Sequence, residues 1–173
     1  MESSTDARLE ALEQRVAALE AARPGGEAQP AAPSAHDPEV FWVLEGLAAR
    51  RPGAGTVVYA GSLTVPDGGE VVWQYGADTD ELLDRPWDDV APTLAALGSP
   101  VRMQILRAVL NGARTASDLL TELGGGTTGQ IYHHLNQLTA GGWLTTAARG
   151  QYVVPADRVV PLLAVVTAAG GTR

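Results

Sequence analysis

Between Leu94 and Val154, three short amphipathic segments follow one another with breaks of only a few residues, and two strand-like runs come directly after them. That order leaves few folds open, because each segment has one apolar stripe and must bury it against its neighbours. Ser99-Pro100 opens the first segment. The Ser hydroxyl is expected to accept from a first-turn amide, and proline suits the first helical position because the amide it lacks has no partner there. Val101, Ile105, Leu106, Val109 and Leu110 form its stripe, and Asn111-Gly112 ends it. Thr115 with Asp118 reads as a capping box before Leu119, Leu120 and Leu123.

After Gly124-Gly125-Gly126, Thr127 with Gln130 forms a second capping box before Ile131, Leu135 and Leu138, an i, i+4, i+7 stripe. Gly141-Gly142 stops this helix. Trp143–Thr146 and Gln151–Val154 then read as short strands about Ala147-Ala148-Arg149-Gly150, with Arg149 at the tip of the turn. Three helices followed by a small hairpin are the order of a winged helix-turn-helix, whose third helix enters the DNA major groove. With the stripe inward, Thr127, Thr128, Gln130, Tyr132, His133, Asn136 and Arg149 are the expected DNA contacts, since these side chains hydrogen-bond phosphates and base edges. Gln130 and Thr127 each have a competing role as caps, and Arg149 as a solvated turn residue. Arg102 and Arg107 either pair locally or touch phosphates, and His134 either packs beside Leu135 or reaches a phosphate.

Leu97-Gly98-Ser99-Pro100-Val101-Arg102-Met103-Gln104-Ile105-Leu106 and Ile131-Tyr132-His133-His134-Leu135-Asn136-Gln137-Leu138 resemble the ArsR family of bacterial repressors. The first matches that family's L-x-x-x-x-R-x-x-I-L opening and the second its V-S-x-H-L-x-x-L reading helix, with Tyr132 standing where the family usually has Ser. The resemblance covers the chain from about Ala91 onward. It implies a homodimer in which a helix near the start of the domain and the C-terminal helix pack against their mates. Pro155 to Ala169, with Val159, Val160, Leu162, Leu163, Val165 and Val166, suits the second of these roles.

Many members of that family sense metals through cysteines on the helix before the reader, or through carboxylate and His ligands on the last helix. This chain contains no cysteine, and its last helix offers only Asp157. His133 and His134 are adjacent and point about 100° apart on a helix, so they cannot share a metal from one face. Neither a metal site nor a cofactor is expected. An enzyme is not expected either: His36, His133 and His134 are the three histidines, Lys is absent, and no nucleophile and base can be placed in one cleft.

The net charge of −8 argues against nucleic acid, but its distribution reverses that. From Pro92 to Val160 five Arg stand against three acids, giving +2, whereas Met1 to Ala91 holds six Arg and seventeen acids, giving −11. Phosphate attraction is therefore modest, and affinity is expected to lean on dimerisation and on base or shape readout. No apolar run is long enough to cross a membrane, and the N-terminus lacks the basic and apolar regions of a signal peptide, so a cytoplasmic protein is expected.

Ahead of this domain the chain divides into three further parts. Residues 1–22 carry Leu9, Leu12, Val16 and Leu19 at the 3, 4, 3 spacing of a coiled coil, so residues 6–22 could join dimers into a tetramer. Residues 23–37 are a Pro- and Gly-rich linker. Residues 38–90 read as a helix ending at Arg50-Arg51-Pro52-Gly53, then a β-hairpin of Thr56–Val65 and Glu70–Tyr75 about Pro66-Asp67-Gly68-Gly69, then a helix capped by Asp78 and Glu81. The expected fold is thus α+β and mostly α: a winged helix-turn-helix over 91–173, an N-terminal coiled-coil-like helix, and a helix and β-hairpin insert.

Trp42, Tyr59, Trp73, Tyr75 and Trp87 collect in the insert and either fill a small core or line a pocket for an organic effector. The nearby carboxylates fail the EF-hand pattern, because Leu83 stands where its loop requires glycine. The alternative to a DNA-binding regulator is a winged-helix protein-interaction module, served by the same coiled coil, linker and acidic insert.

Overall fold

The computed structural model describes residues 8, 11, 12, 14, 15, 37, 41–51, 55–66, 69–147 and 150–170. The chain divides into two compact units, Met1–Arg50 and Arg51–Arg173. In the first unit Arg8, Ala11, Leu12, Gln14 and Arg15 are helical, and α1 spans Trp42–Arg50. Of the four coiled-coil positions only Leu12 is described, and it is 52% exposed; Leu9, Val16 and Leu19 lie outside the described residues.

The second unit opens with an antiparallel hairpin, β1 (Thr56–Thr64) and β2 (Glu70–Asp78), paired in register from Thr56↔Asp78 to Thr64↔Glu70. Residues directly opposite share a face, so Val57, Tyr59, Gly61, Leu63, Val71, Trp73, Tyr75 and Ala77 form one apolar face. Gly61 is what lets that face sit down on the C-terminal helix α7 (Ala156–Gly170). A Cβ built there would stand 2.9 Å from the Val160 side chain, too close for any residue but glycine. The hairpin is therefore seated on α7.

β2 runs to Asp78, three residues further than its sequence pattern indicates, and this changes the role of that carboxylate. Asp78 makes no side-chain cap for α2 (Thr79–Asp84). Its Oδ1 accepts instead from Arg51, as an ion pair, and from the Thr56 hydroxyl at 3.5 Å across the hairpin. The strand partner outcompetes the local capping role that the Asp-x-x-Glu spacing suggests. A single 3-10 turn, Trp87–Asp89, and the short helix α3 (Ala91–Ala95) lead into the helical core.

That core is built by α4 (Pro100–Leu110), α5 (Ala116–Leu123) and α6 (Thr128–Ala140), with α7 closing it. Ile105, Leu106, Val109, Leu119, Ile131, Leu135, Leu138, Trp143, Leu144 and Leu162 are all buried together. Of the three predicted capping boxes, the two in this core form. Thr115 Oγ1 accepts from Asp118 N while Asp118 Oδ2 accepts from Thr115 N, and Thr127 and Gln130 do the same one helix later.

Ser99 differs from expectation. Its backbone is extended before Pro100, but its hydroxyl caps nothing among the described residues. Its peptide group is held instead, with Ser99 N donating to Leu97 O at 2.8 Å and Ser99 O accepting from Met103 N at 3.0 Å. Val101, in the first turn of α4, is 36% exposed and lies at the edge of the stripe rather than inside it. At the other end of α4 only Gly112 takes the left-handed conformation, with φ +106°, while Asn111 stays near the helical region.

The wing is a three-residue ladder, β3 (Thr145–Ala147) with β4 (Gln151–Val153). Trp143 and Leu144 precede it as buried core residues rather than strand. The described protein is mostly helical with small antiparallel hairpins, a winged helix-turn-helix. No described helix is long and apolar enough to cross a membrane.

Candidate nucleic-acid interface

α6 is two-faced. Ile131, Leu135 and Leu138 are at most 3% exposed, and the helix turns Thr128, Tyr132, His133 and Asn136 to solvent. Tyr132 keeps 46% of its surface. At the helix start, Thr127 Oγ1 accepts from Gln130 N at 3.3 Å and Gln130 Oε1 accepts from Thr127 N at 3.0 Å. Gln130 Oε1 is thus committed to the cap, and its amide nitrogen is the part left for an outside acceptor. Arg149, assigned to the wing tip, lies outside the described residues.

Gly129 is a member of this face that sequence periodicity passes over. It is exposed, and a Cβ built on it would meet nothing within 4 Å. The protein's own packing therefore gives no reason for a glycine in the first turn of this helix, where alanine favours helix formation. The signal in the sequence is a glycine inside a capping box, between Thr127 and Gln130.

α6 is fixed from behind by Arg102. Its guanidinium Nη1 donates to Gln137 Oε1 at 2.6 Å, its Nη2 to Ala95 O at 2.9 Å and its Nε to Ala96 O. Arg102 therefore pairs locally and closes the C-terminal end of α3 while holding the side of α6. Trp143 adds a second tie, its Nε1 donating to Thr93 O at 2.8 Å, with the Arg158 guanidinium 5.6 Å above its ring.

His134 is half-buried on the flank of α6 and its Nδ1 is sealed from solvent with no hydrogen-bond partner among the described residues. Burial holds its pKa below the ordinary histidine value of 6.5, and the nearby charges of His133 and Arg102 push the same way. His133 is exposed, its ring edge-on to His134 at 5.7 Å. At the foot of α5, Asp118 has its pKa lowered by the backbone amides of Arg114 and Thr115 and then by the Thr115 hydroxyl.

The insert aromatics are only partly brought together. Tyr59 and Tyr75 face each other across the hairpin with ring centroids 5.8 Å apart, and Trp73 lies on the same face opposite Gly61. Trp87 sits on the 3-10 turn, donating from Nε1 to Leu82 O at 2.9 Å, and Trp42 belongs to the other unit. No group of three or more His, Asp or Glu among the described residues could hold a metal ion.

A polar, solvent-facing third helix, sealed behind by an apolar core and followed by a wing, defines a winged helix-turn-helix DNA-binding domain. Residues 97–146 match a protein-family model described as a helix-turn-helix domain. No curated protein matches the chain. Among solved structures, the transcriptional repressor BigR from Xylella fastidiosa is similar over 55% of this chain and 99% of its own, at 23% identity and a TM-score of 0.41.

Proposed function

We propose that this protein is a homodimeric transcriptional regulator that reads DNA with α6 of each copy in successive major grooves. The observation that carries this is the outward face of α6. Thr128, Tyr132, His133 and Asn136 face solvent from a helix clamped by Arg102 and sealed by Ile131, Leu135 and Leu138. Thr127 and Gln130 serve the start of the helix, where free amides suit a phosphate, and Arg149 reaches the flanking backbone or minor groove from the wing.

Dimerisation falls to the outer side of α7, where Leu163 and Val166 keep 37% and 42% of their surface while Val159, Val160 and Leu162 are used within the protomer. Residues 6–22 supply a second association element on a tether. Two readers then stand about 34 Å apart, the spacing of half-sites one helical turn apart. Any effector is an organic molecule, since the domain has neither thiolates nor a His and carboxylate ligand set. The assignment places the protein in the cytoplasm, where its DNA is.

The test is an electrophoretic shift with the DNA upstream of the protein's own gene, repeated across salt concentrations. Saturable binding with a shallow salt dependence is expected from the domain's small positive charge. Absence of a shift in low salt at micromolar protein overturns the proposal in favour of a protein-docking module.

A further inference from the structure

Two cavities meet on the surface of α4. The larger, about 400 Å³, lies between α4 and α7 and is walled by Met103, Leu106, Leu110, Leu162, Leu163 and Val166. The smaller, about 250 Å³, lies between α4 and α5 and is lined mainly by polar groups, including Asn111 and Glu122. Gln104 and Arg107 line both and form the seam between them. The Arg107 guanidinium is exposed and, among the described residues, makes no ion pair or hydrogen bond. Glu122 shares the polar cavity with Arg107 but does not come within ion-pairing distance.

We infer that this paired cleft binds an amphiphilic monocarboxylate, its apolar body in the groove between α4 and α7 and its carboxylate on Arg107 and Gln104. The apolar part falls within the size range of small-molecule sites, which combine hydrophobic walls with a few converging polar groups. Arg107 stands at the rim of the apolar groove with no acceptor among the described residues, so an amphiphile lying in the groove gains a charge-assisted bond there only when its head group is an anion. A carboxylate matches the fork of Arg107. Asn111 and Glu122 keep the smaller cavity wet, so the head group stays at the seam and the chain lies on the apolar side.

The inference names the effector class for the regulator proposed above and rests on that reading only for its consequence. A ligand against Leu163 and Val166 lies where α7 meets its mate, so occupancy changes the distance between the two readers.

Met103 makes the test direct, because the protein contains two methionines and the other is Met1. The full-length protein is labelled at its methionine methyls and titrated with decanoate below its aggregation concentration, with decanol and decyltrimethylammonium as head-group controls. The Met103 signal is expected to move saturably with decanoate and to respond more weakly to both controls. Arg107→Ala is expected to weaken decanoate at least about tenfold, as for loss of a charge-assisted hydrogen bond, with an unchanged unfolding midpoint.

An unmoved Met103 signal overturns the inference, as does equal binding of decanoate by Arg107→Ala. A groove that takes up decanoate only at protein concentrations too low for dimerisation shows that a second copy fills it, and overturns it too. Decanoate binding without any DNA shift removes the regulator reading and leaves the site standing. A DNA shift with no Met103 response does the reverse.

Discussion

Arg102 and Gln137, 35 residues apart in sequence, are joined by a hydrogen bond of 2.6 Å from the guanidinium to the amide oxygen. The same guanidinium closes the end of α3 through Ala95 O and Ala96 O, so one side chain ties α3 to α6. Arg102→Ala is expected to cost about 1–3 kcal/mol, because it removes three hydrogen bonds made by one charged group. Gln137→Leu removes only the tie to α6 and should cost about 1 kcal/mol or less. Urea unfolding of both variants checks this. Equal losses would show that the capping of α3 contributes nothing.

Thr127→Ala removes one half of the capping box on α6 and is expected to destabilise the domain by about 1 kcal/mol. Thr127→Ser keeps the hydroxyl and should retain most of that stability. Thermal unfolding compares the two directly, and a Ser variant as weak as the Ala variant would assign the effect to the lost methyl group.

Gly129→Ala separates folding from binding. Nothing within the protein obstructs the added methyl, so folding stability should rise by up to about 1 kcal/mol. DNA affinity should fall, because the methyl occupies space that the phosphate backbone or a base edge approaches. Unchanged affinity in a shift assay would mean that DNA does not approach this position.

Tyr132→Ala should leave the fold intact, since the ring is 46% exposed. It should weaken binding to the specific site more than to random DNA, as expected for a base-edge contact worth about 1–3 kcal/mol. Equal losses on both DNAs would move Tyr132 to the phosphate backbone.

The pH dependence of stability follows from His134. Its folded-state pKa lies below the unfolded value of 6.5, so the unfolded chain takes up a proton first as pH falls. Stability is therefore complete above about pH 6.5 and declines as the pH drops from there toward the folded value. His134→Leu removes this slope, while the exposed His133 and the partly buried Arg102 stay in place. Urea midpoints measured between pH 5 and 8 check it, and an identical slope in the variant would assign the effect elsewhere.

How much was legible in the sequence depended on how local each determinant was. The two capping boxes on α5 and α6 need only residues three apart, and both form as their spacing indicates. Asp78 and Glu81 have the same spacing, yet Asp78 turns to Arg51 and Thr56, partners that only the hairpin brings near. The α6 stripe was readable from periodicity, which places Tyr132 and Asn136 outward without any knowledge of their neighbours.

Arg102 was not readable in this way. Two of its acceptors are backbone carbonyls, and the third belongs to a helix two elements later. Trp143 and Leu144 have strand-like composition, but the core beneath the wing takes both, and the ladder starts one residue later.

The seat of the hairpin on Val160 has a consequence for where this protein can be cut. Gly61 is a keyhole cut to the shape of one valine, so the hairpin and the last helix are fitted parts although they come from opposite ends of the unit. A fragment beginning at the first residue of the matched family region would leave Val159 and Val160 bare and sticky. The smallest well-behaved DNA-binding piece should therefore begin before the hairpin, at Arg51, rather than at the helix-turn-helix itself.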